Sequence, residues 1–263
     1  MQKFLRTLVL VAFMVMPMTM QGQTAKVSEY DYTVGTASFN SVSSTGTAWT
    51  ADDVAQGYVD VAMPFGIYFG ENQVQQNATL RVYPNGSAEF TSLSGSLIAP
   101  MYYSTGYIYG NTSIYTRSTA TSLTVEWRKV VSGNSSYSFQ LKLYSTGDIE
   151  FCYGPMTLNS SSSVLVGMRS SENDQVLCSG NDWSEIVRTN AWTASHTVNA
   201  TNAPAYNYTT GEGLLYTFTQ PACVKPTAIS AEATDWNKAN VEWTVAENGS
   251  KLSLMPAIRE HCL

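Results

Sequence analysis

The fold is decided by residues 122–153, which read SLTVEWRKVVSGNSSYSFQLKLYSTGDIEFCY. At the start of this stretch Leu123, Val125 and Trp127 alternate with polar residues. The alternation resumes after a Ser-Gly-Asn-Ser turn and again after a Ser-Thr-Gly-Asp turn. Apolar residues at every second position predict strands with one buried face. The stretch therefore predicts a three-stranded antiparallel meander.

The same pattern extends along the chain on both sides of the meander. Asn85-Gly86 lies between two alternating runs, and this dipeptide is the strongest short signal for a hairpin. No window shows the apolar spacing of an amphipathic helix. We therefore predict an all-β, two-layer antiparallel β-sandwich, jelly-roll-like, over residues 24–220. Its clearest strands are expected at 32–39, 58–69 with a bend at Pro64-Phe65-Gly66, 80–83, 88–93, 164–168 and 214–218.

The N-terminus has the order of a secretory signal peptide. Lys3 and Arg6 precede an apolar run from Leu8 to Met20, and small or polar residues follow. The alternative is a membrane anchor, but the run is shorter than the roughly 20 residues that span a bilayer. We predict a cleavable signal at residues 1–23, secretion or cell-surface location, and no membrane span in the mature chain.

Residues 221–263 predict a linker and an incomplete second β module. Pro221 and Pro226 stiffen the chain, and Ile229, Val241 and Trp243 follow in strand-like runs. This arrangement resembles the opening of a fibronectin type III module, although too few residues remain for a complete one. No alternation is evident in 251–263, and we expect this tail to be poorly ordered unless it docks on the sandwich.

Four motifs of the main domain form a familiar series. They are VAMPFGIYFG at 61–70, LRVYPNGSAEF at 80–90, VEW at 125–127 and FQLKLYSTGDIEFCYG at 139–154. Their order is similar to that in β-sandwich domains of secreted Bacteroidetes surface proteins and, more distantly, in nidogen-like extracellular domains. The shared positions are turn glycines and core aromatics. The resemblance implies a fold and an extracellular setting, and it carries no catalytic residue with it.

Charge excludes one class of partner. Charged residues make up only 13% of the chain, the formal net charge is −6, and no basic cluster exists. A nucleic-acid-binding domain needs a basic patch, so we expect no nucleic acid partner.

The four cysteines leave their pairing open. An exported protein can form disulfides, and Cys152 with Cys178 is the pair that we favour. The alternative is that all four are buried or free thiols. No CxxC spacing is present, which argues against a zinc knuckle.

Catalytic residues are not indicated by any motif. The chain has two histidines, and no G-x-S-x-G elbow accompanies them. Glu126 and Glu150 lie on neighbouring predicted strands and could form the acid pair of a glycosidase. Arg128 and Lys142 share their face, so a solvated charged surface is the interpretation that we prefer.

Acidic loop residues could bind calcium, although such residues also form turns. We predict no cofactor, with calcium as the alternative. The candidate ligands are Asp52, Asp53, Glu172, Asn173, Asp174, Asn181 and Asp182.

Aromatic residues in polar loops are the candidate contact residues. Tyrosine and tryptophan on rigid loops provide contact area at low entropic cost, which suits protein or sugar surfaces. The alternative is that they fill the core or its rim. The predicted ligand-binding residues are Tyr102, Tyr103, Tyr107, Tyr109, Trp183 and Trp192.

These observations favour a non-catalytic, secreted or cell-surface binding or adhesion module whose partner is an extracellular protein or a glycan. Two alternatives remain at this point. One is a carbohydrate-active enzyme that uses Glu126 and Glu150. The other is a structural accessory domain of a larger secreted protein.

Overall fold

The computed structural model describes most of the chain. The described residues are 25–49, 53, 57–103, 112–131, 135–157, 162–178, 183, 196–198, 203–221, 226–235, 238–245 and 251–254. The predicted signal peptide at 1–23 lies outside them. Within these ranges no helix is long and apolar enough to cross a membrane.

The predicted all-β fold is confirmed. Apart from a single 3-10 turn at Val27–Glu29, the regular elements of the described residues are β-strands. The first ten are β1 (Asp31–Ser38), β2 (Thr47–Trp49), β3 (Val59–Ala62), β4 (Ile67–Phe69), β5 (Asn72–Val74), β6 (Thr79–Tyr83), β7 (Ser87–Phe90), β8 (Leu97–Tyr102), β9 (Thr112–Ser118) and β10 (Ser122–Val131).

The second half of the chain continues in the same way. Its strands are β11 (Ser135–Tyr144), β12 (Ile149–Tyr153), β13 (Ser162–Ser171), β14 (Asp174–Cys178), β15 (His196–Val198), β16 (Tyr206–Asn207), β17 (Glu212–Thr219), β18 (Pro226–Asp235), β19 (Lys238–Val245) and β20 (Lys251–Leu254).

Two antiparallel sheets make up the sandwich. The first, here called the large sheet, has the order β1-β17-β12-β11-β10-β9-β2, with β16 also paired to β17. The second sheet has the order β14-β13-β8-β7-β6-β3, with β15 also paired to β13. The predicted meander is β10-β11-β12, in which Trp127 pairs with Phe139 and Phe139 with Tyr153. The meander therefore occupies the centre of the large sheet.

The core fills the space between the two sheets. Trp127 stacks on Phe139 with ring centroids 5.3 Å apart, and its Nε1 donates to the backbone oxygen of Tyr83 at 2.8 Å. That bond joins a side chain of the large sheet to the backbone of the second. The largest fully buried side chains are Trp127, Tyr30, Tyr153, Tyr216, Phe69, Phe90, Phe139, Phe151, Phe218, Met63, Leu80 and Ile98.

The two ends of the domain are held close together by polar contacts. The hydroxyl oxygen of buried Tyr30 accepts from the backbone N–H of Gly70 at 3.1 Å and from Nε2 of Gln220 at 2.9 Å. Gln220 Nε2 also donates to the backbone oxygen of Tyr68 at 2.6 Å. Burial raises the pKa of Tyr30 to about 12, so this hydroxyl stays neutral across the physiological range.

The chain divides into two compact units, and the larger extends from Thr24 to Pro221. The smaller contains a three-stranded antiparallel sheet, β18-β19-β20, in which Ile229 pairs with Trp243. Strand β20 corrects the sequence analysis, which found no strand after residue 250. Its four residues pair with β19, and so short a strand offers too few alternating positions to be recognised from sequence.

The β6–β7 hairpin gives a direct test of this architecture. Gly86 has φ +87°, and an added Cβ would meet the backbone oxygen of Met101 and lie 2.9 Å from the Phe139 ring. Gly95 has a similar φ of +78° with nothing within 4 Å of its added Cβ. We expect Gly86→Ala to lower the free energy of unfolding by about 3 kcal/mol, and Gly95→Ala by only about 1 kcal/mol.

Urea unfolding of the full chain, followed by tryptophan fluorescence, measures both values. Equal losses in the two variants would contradict the close approach of the β6–β7 turn to β8.

Candidate functional site

Strand alternation separates the first two tyrosines of the predicted cluster. Tyr102 ends β8 and is half-buried on the outer side of the second sheet, where it pairs with Leu165. Tyr103 points the other way and is only 8% exposed, with its ring 5.4 Å from that of Tyr137 in the core. The prediction of a loop contact residue is thus corrected for Tyr103. Tyr107 and Tyr109 lie outside the described residues.

Trp183 is also a core residue. Its side chain is 5% exposed, and its ring packs against Tyr153 with centroids 5.4 Å apart. Its polar surroundings in the sequence suggested an exposed loop. The ring contact with Tyr153 and the hydrogen bond from the Tyr216 hydroxyl to its backbone oxygen could not be read from those neighbours. Trp192 lies outside the described residues. Of the predicted contact aromatics that the structure describes, Tyr102 alone remains at the surface.

Tyr102 belongs to a surface that was not predicted from the sequence. The register places Arg81 opposite Asp60 and Glu89, and Tyr83 opposite Ser87, on the outer side of the second sheet. Core residues of the same strands, such as Leu80 and Phe90, point inward. We call this surface the tyrosine face; it consists of Tyr58, Tyr83 and Tyr102 with Asp60, Arg81, Glu89 and Arg169.

Arg81 is held firmly on the tyrosine face. Its Nε and Nη2 donate to the two carboxylate oxygens of Asp60 at 2.9 and 3.0 Å. Its guanidinium carbon lies 3.8 Å from the centroid of the Tyr58 ring. A bidentate ion pair and a cation–π contact both restrict the side chain, so little further freedom is lost when a ligand packs on it.

Tyr83 is the next fixed group of the face. Its ring meets Tyr58 edge to face at 6.2 Å, and its hydroxyl donates to Oε1 of Glu89 at 2.6 Å. Burial, together with the bond to Glu89, raises the pKa of Tyr83 to about 12. The hydroxyl is therefore neutral, and it donates its hydrogen bond to Glu89.

A shallow pocket of about 250 Å³ opens beside Tyr83. Arg169 provides its positive charge and Leu97 an apolar wall. Asn85 is oriented there because its Oδ1 accepts from the backbone N–H of Ser87 at 3.2 Å and from the Ser87 hydroxyl at 2.7 Å. The lining residues are Tyr83, Asn85, Ser87, Leu97, Tyr102 and Arg169.

The two described cysteines are not joined. Cys152 and Cys178 are both buried free thiols, which corrects the predicted disulfide. Alternation again gives the reason: Tyr153 points into the core, so its neighbour Cys152 points to the other side of the large sheet, opposite Gln140. Cys178 lies within the core, where burial raises its thiol pKa. Cys223 and Cys262 fall outside the described residues.

Glu126 faces outward, as its strand position predicts, but it is not solvated. The side chain is fully buried beneath the segment that follows β1. Its carboxylate accepts from the Ser41 hydroxyl at 2.9 Å, the Val42 N–H at 2.7 Å and Gln140 Nε2 at 2.9 Å. Arg128 completes the set with an ion pair of 2.7 Å. Glu126 thus fixes a covering segment onto the large sheet.

Glu150 belongs to a different network. It accepts from the Tyr144 hydroxyl at 2.8 Å and lies 3.6 Å from the Lys142 ammonium. In the sheet register Glu150 is opposite Lys142, whereas Glu126 is opposite Gln140. The two carboxylates therefore engage separate sets of partners, with Arg128 paired to Glu126 and Lys142 to Glu150.

Asp174, one of the candidate calcium ligands, is an acceptor for protein donors. It receives the N–H groups of Val27 at 2.9 Å and Ser28 at 3.0 Å, and the hydroxyls of Ser28 and Ser170. This carboxylate fastens the 3-10 turn to β13 and β14. Among the described residues, which exclude Asp52, Asn181 and Asp182, no group of three or more His, Cys, Asp or Glu could hold a metal ion.

Comparison with known protein families identifies a match. A family model described as NIDO related covers residues 29–220, which is more than half of the chain. No curated protein and no solved structure matches the chain.

The buried carboxylate of Glu126 makes a testable difference to stability. In the variant Glu126→Gln, the amide NH₂ would face N–H and O–H groups that now donate to the carboxylate. Some of these buried donors would then have no acceptor. We expect the free energy of unfolding to fall by about 3 kcal/mol. The matched change Glu172→Gln, at an exposed loop residue, should cost less than about 0.5 kcal/mol.

Chemical denaturation of both variants decides the point. A loss at Glu126 no larger than the loss at Glu172 would mean that the covering segment does not depend on this carboxylate.

Proposed function

The chain belongs to the NIDO-related family, and from this membership and the tyrosine face we propose that it is a non-catalytic extracellular module that binds another protein. The family favours an extracellular accessory or structural domain. The binding role rests on one observation, which is that three tyrosines and two arginines lie together on the outer side of the second sheet. Tyrosine and arginine are enriched at protein interfaces and at their energetic centres.

The restraint of these side chains supports a contact function. Arg81 is fixed by Asp60 and Tyr58, and Tyr83 by Glu89 and Tyr58. A surface that is already ordered loses less entropy on association than one with free side chains. The tyrosine face is therefore preorganised for binding.

The pocket beside Tyr83 would receive one side chain of the partner. Its volume of about 250 Å³ suits a single group, and Arg169, Asn85 and Ser87 bring polar atoms to it. A carboxylate or amide of the partner would match the guanidinium of Arg169. Tyr102 packs against the apolar residues Ala99, Leu165 and Leu177, so it provides a supported platform at the rim of the pocket.

A non-catalytic role is supported by the partners of the candidate acids. Glu126 is buried under the segment after β1, and Glu150 is bound to Tyr144 and Lys142. These contacts give each carboxylate a structural role, and that role accounts for its position.

A role as a structural accessory domain is favoured by the second compact unit. Strands β18, β19 and β20 form a separate sheet after Pro221, and the proline-led start of β18 supports our assignment of a fibronectin type III-like segment there. We also propose that residues 1–23 direct export and that the protein acts outside the cytoplasm. The family and the charge–apolar–polar order of the N-terminus support this assignment.

The test is a binding screen of the full chain against extracellular matrix and cell-surface proteins. Tyr102→Ser should weaken the interaction with any identified partner by about tenfold or more, which corresponds to about 1.4 kcal/mol. Tyr115→Ser is the matched control, because Tyr115 is also half-buried but lies opposite Glu126 on the outer side of the large sheet. The affinity of the Tyr115→Ser variant should stay within about twofold of that of the original chain.

Thermal unfolding of both variants shows whether a loss of affinity is caused by a loss of folding. A partner whose affinity is the same for Tyr102→Ser and the original chain would contradict the proposal. Hydrolysis of a glycan by the chain, lost in Glu150→Gln, would replace it with the enzymatic alternative.

A further inference from the structure

Tyr208 is the most exposed large aromatic among the described residues. Its side chain is 70% exposed, at the turn between β16 and β17. It is nevertheless held in place, because its hydroxyl donates to the backbone oxygen of Met156 at 3.1 Å. The Tyr206 ring packs against it edge to face, with centroids 4.9 Å apart and planes at 85°. An exposed ring with this much support presents a fixed apolar surface to solvent.

The turn that carries Tyr208 is itself ordered by hydrogen bonds. Asn207 Oδ1 accepts from the backbone N–H groups of Thr209 at 2.9 Å and Thr210 at 3.2 Å. The Gly211 N–H donates to the backbone oxygen of Asn207 at 2.8 Å, and Gly211 adopts the left-handed conformation that closes the turn, with φ +73°. The position of Tyr208 is therefore set before any ligand arrives.

A groove of about 460 Å³ lies beside this ring. Its volume falls within the range of roughly 300–1,000 Å³ that is typical of small-ligand sites. One side comes from Thr36 on β1, the outermost strand in the described order of the large sheet. The lining residues are Thr36, Ala205, Tyr206, Asn207, Tyr208 and Glu212.

We propose that this groove binds a neutral oligosaccharide. One face of a sugar ring carries polarised C–H groups, which are attracted to the negative face of an aromatic ring such as Tyr208. The hydroxyl groups at the rim of the sugar would donate to the Glu212 carboxylate, which has spare acceptor positions beside its bond from the Thr210 hydroxyl at 3.2 Å. Thr36 and Asn207 add neutral polar groups.

The charge of the groove decides between sugar classes. Among the residues that the structure describes, its lining contains one acid, Glu212, and no basic residue. A uronic acid or a sulfated sugar would meet repulsion there, whereas a neutral sugar would not. The close contact of Tyr206 with Tyr208 leaves no gap between the rings for a cationic group, which disfavours an ammonium ligand held between them.

This inference goes beyond the proposed protein partner, because it concerns a groove formed at the large sheet rather than the tyrosine face of the second sheet. The two sites can be tested separately. A substitution in the groove should leave the protein partner bound to the tyrosine face, and a substitution in the tyrosine face should leave the sugar bound in the groove.

The test is isothermal titration calorimetry of the full chain with cellohexaose, mannohexaose, xylohexaose and maltohexaose. Trigalacturonate and choline serve as the acidic and cationic probes. At least one neutral hexasaccharide should bind, and Tyr208→Ala should weaken it by about tenfold or more through loss of the aromatic contact. Glu212→Gln should weaken it by about threefold or more, because a charged acceptor becomes a neutral one.

Two control variants complete the design. Tyr32→Ala removes a 37%-exposed tyrosine of β1 and should leave the sugar affinity within about twofold, as should Tyr102→Ser on the tyrosine face. The inference is overturned if no neutral hexasaccharide binds, if only trigalacturonate or choline binds, or if Tyr208→Ala binds as tightly as the original chain. An equal loss in Tyr102→Ser would assign the sugar to the tyrosine face and would also overturn it.

Discussion

The constraint on which the rest of the structure depends is the two-residue alternation of β10, β11 and β12. Trp127, Phe139 and Tyr153 lie in register and point into the core, so the residues between them must point out. A slip of one residue would exchange the two sets completely. The same rule in β8 and its end places Tyr102 outside and Tyr103 inside. The tyrosine face consists of the outward-pointing residues that alternate with the core residues of the second sheet.

Two buried carboxylates then attach segments that are not strands to this framework. Glu126 binds the chain at Ser41 and Val42, more than 80 residues away in sequence, and Asp174 binds the turn at Val27 and Ser28. Each supplies acceptors to backbone N–H groups that would otherwise be buried without partners. A charge in such a position is stabilised by several short-range donors rather than by solvent, and it keeps the covering segments in one place.

The sequence predicted the strongly alternating strands and their inward faces, because alternation and turn residues are local signals. Strands β8, β9 and β14 were not among the predicted ones. Strands β1, β6, β7 and the meander lie where these signals place them. The outward residues were harder to interpret. Glu126 has the position of a solvated charge, and only the distant segment after β1 buries it. The groove beside Tyr208 joins residues of β1 to a turn about 170 residues later, and no local pattern reveals such a contact.

Chemical footprinting of the tyrosines in the folded full chain tests the alternation most directly. With mass-spectrometric readout of tyrosine iodination, Tyr208 should react first, followed by Tyr32 and Tyr102. The buried residues Tyr103, Tyr153 and Tyr216 should be protected until the chain unfolds. Fast modification of Tyr103 together with protection of Tyr102 would mean that the inward and outward sets of β8 are reversed, and the account of the tyrosine face would fail with them.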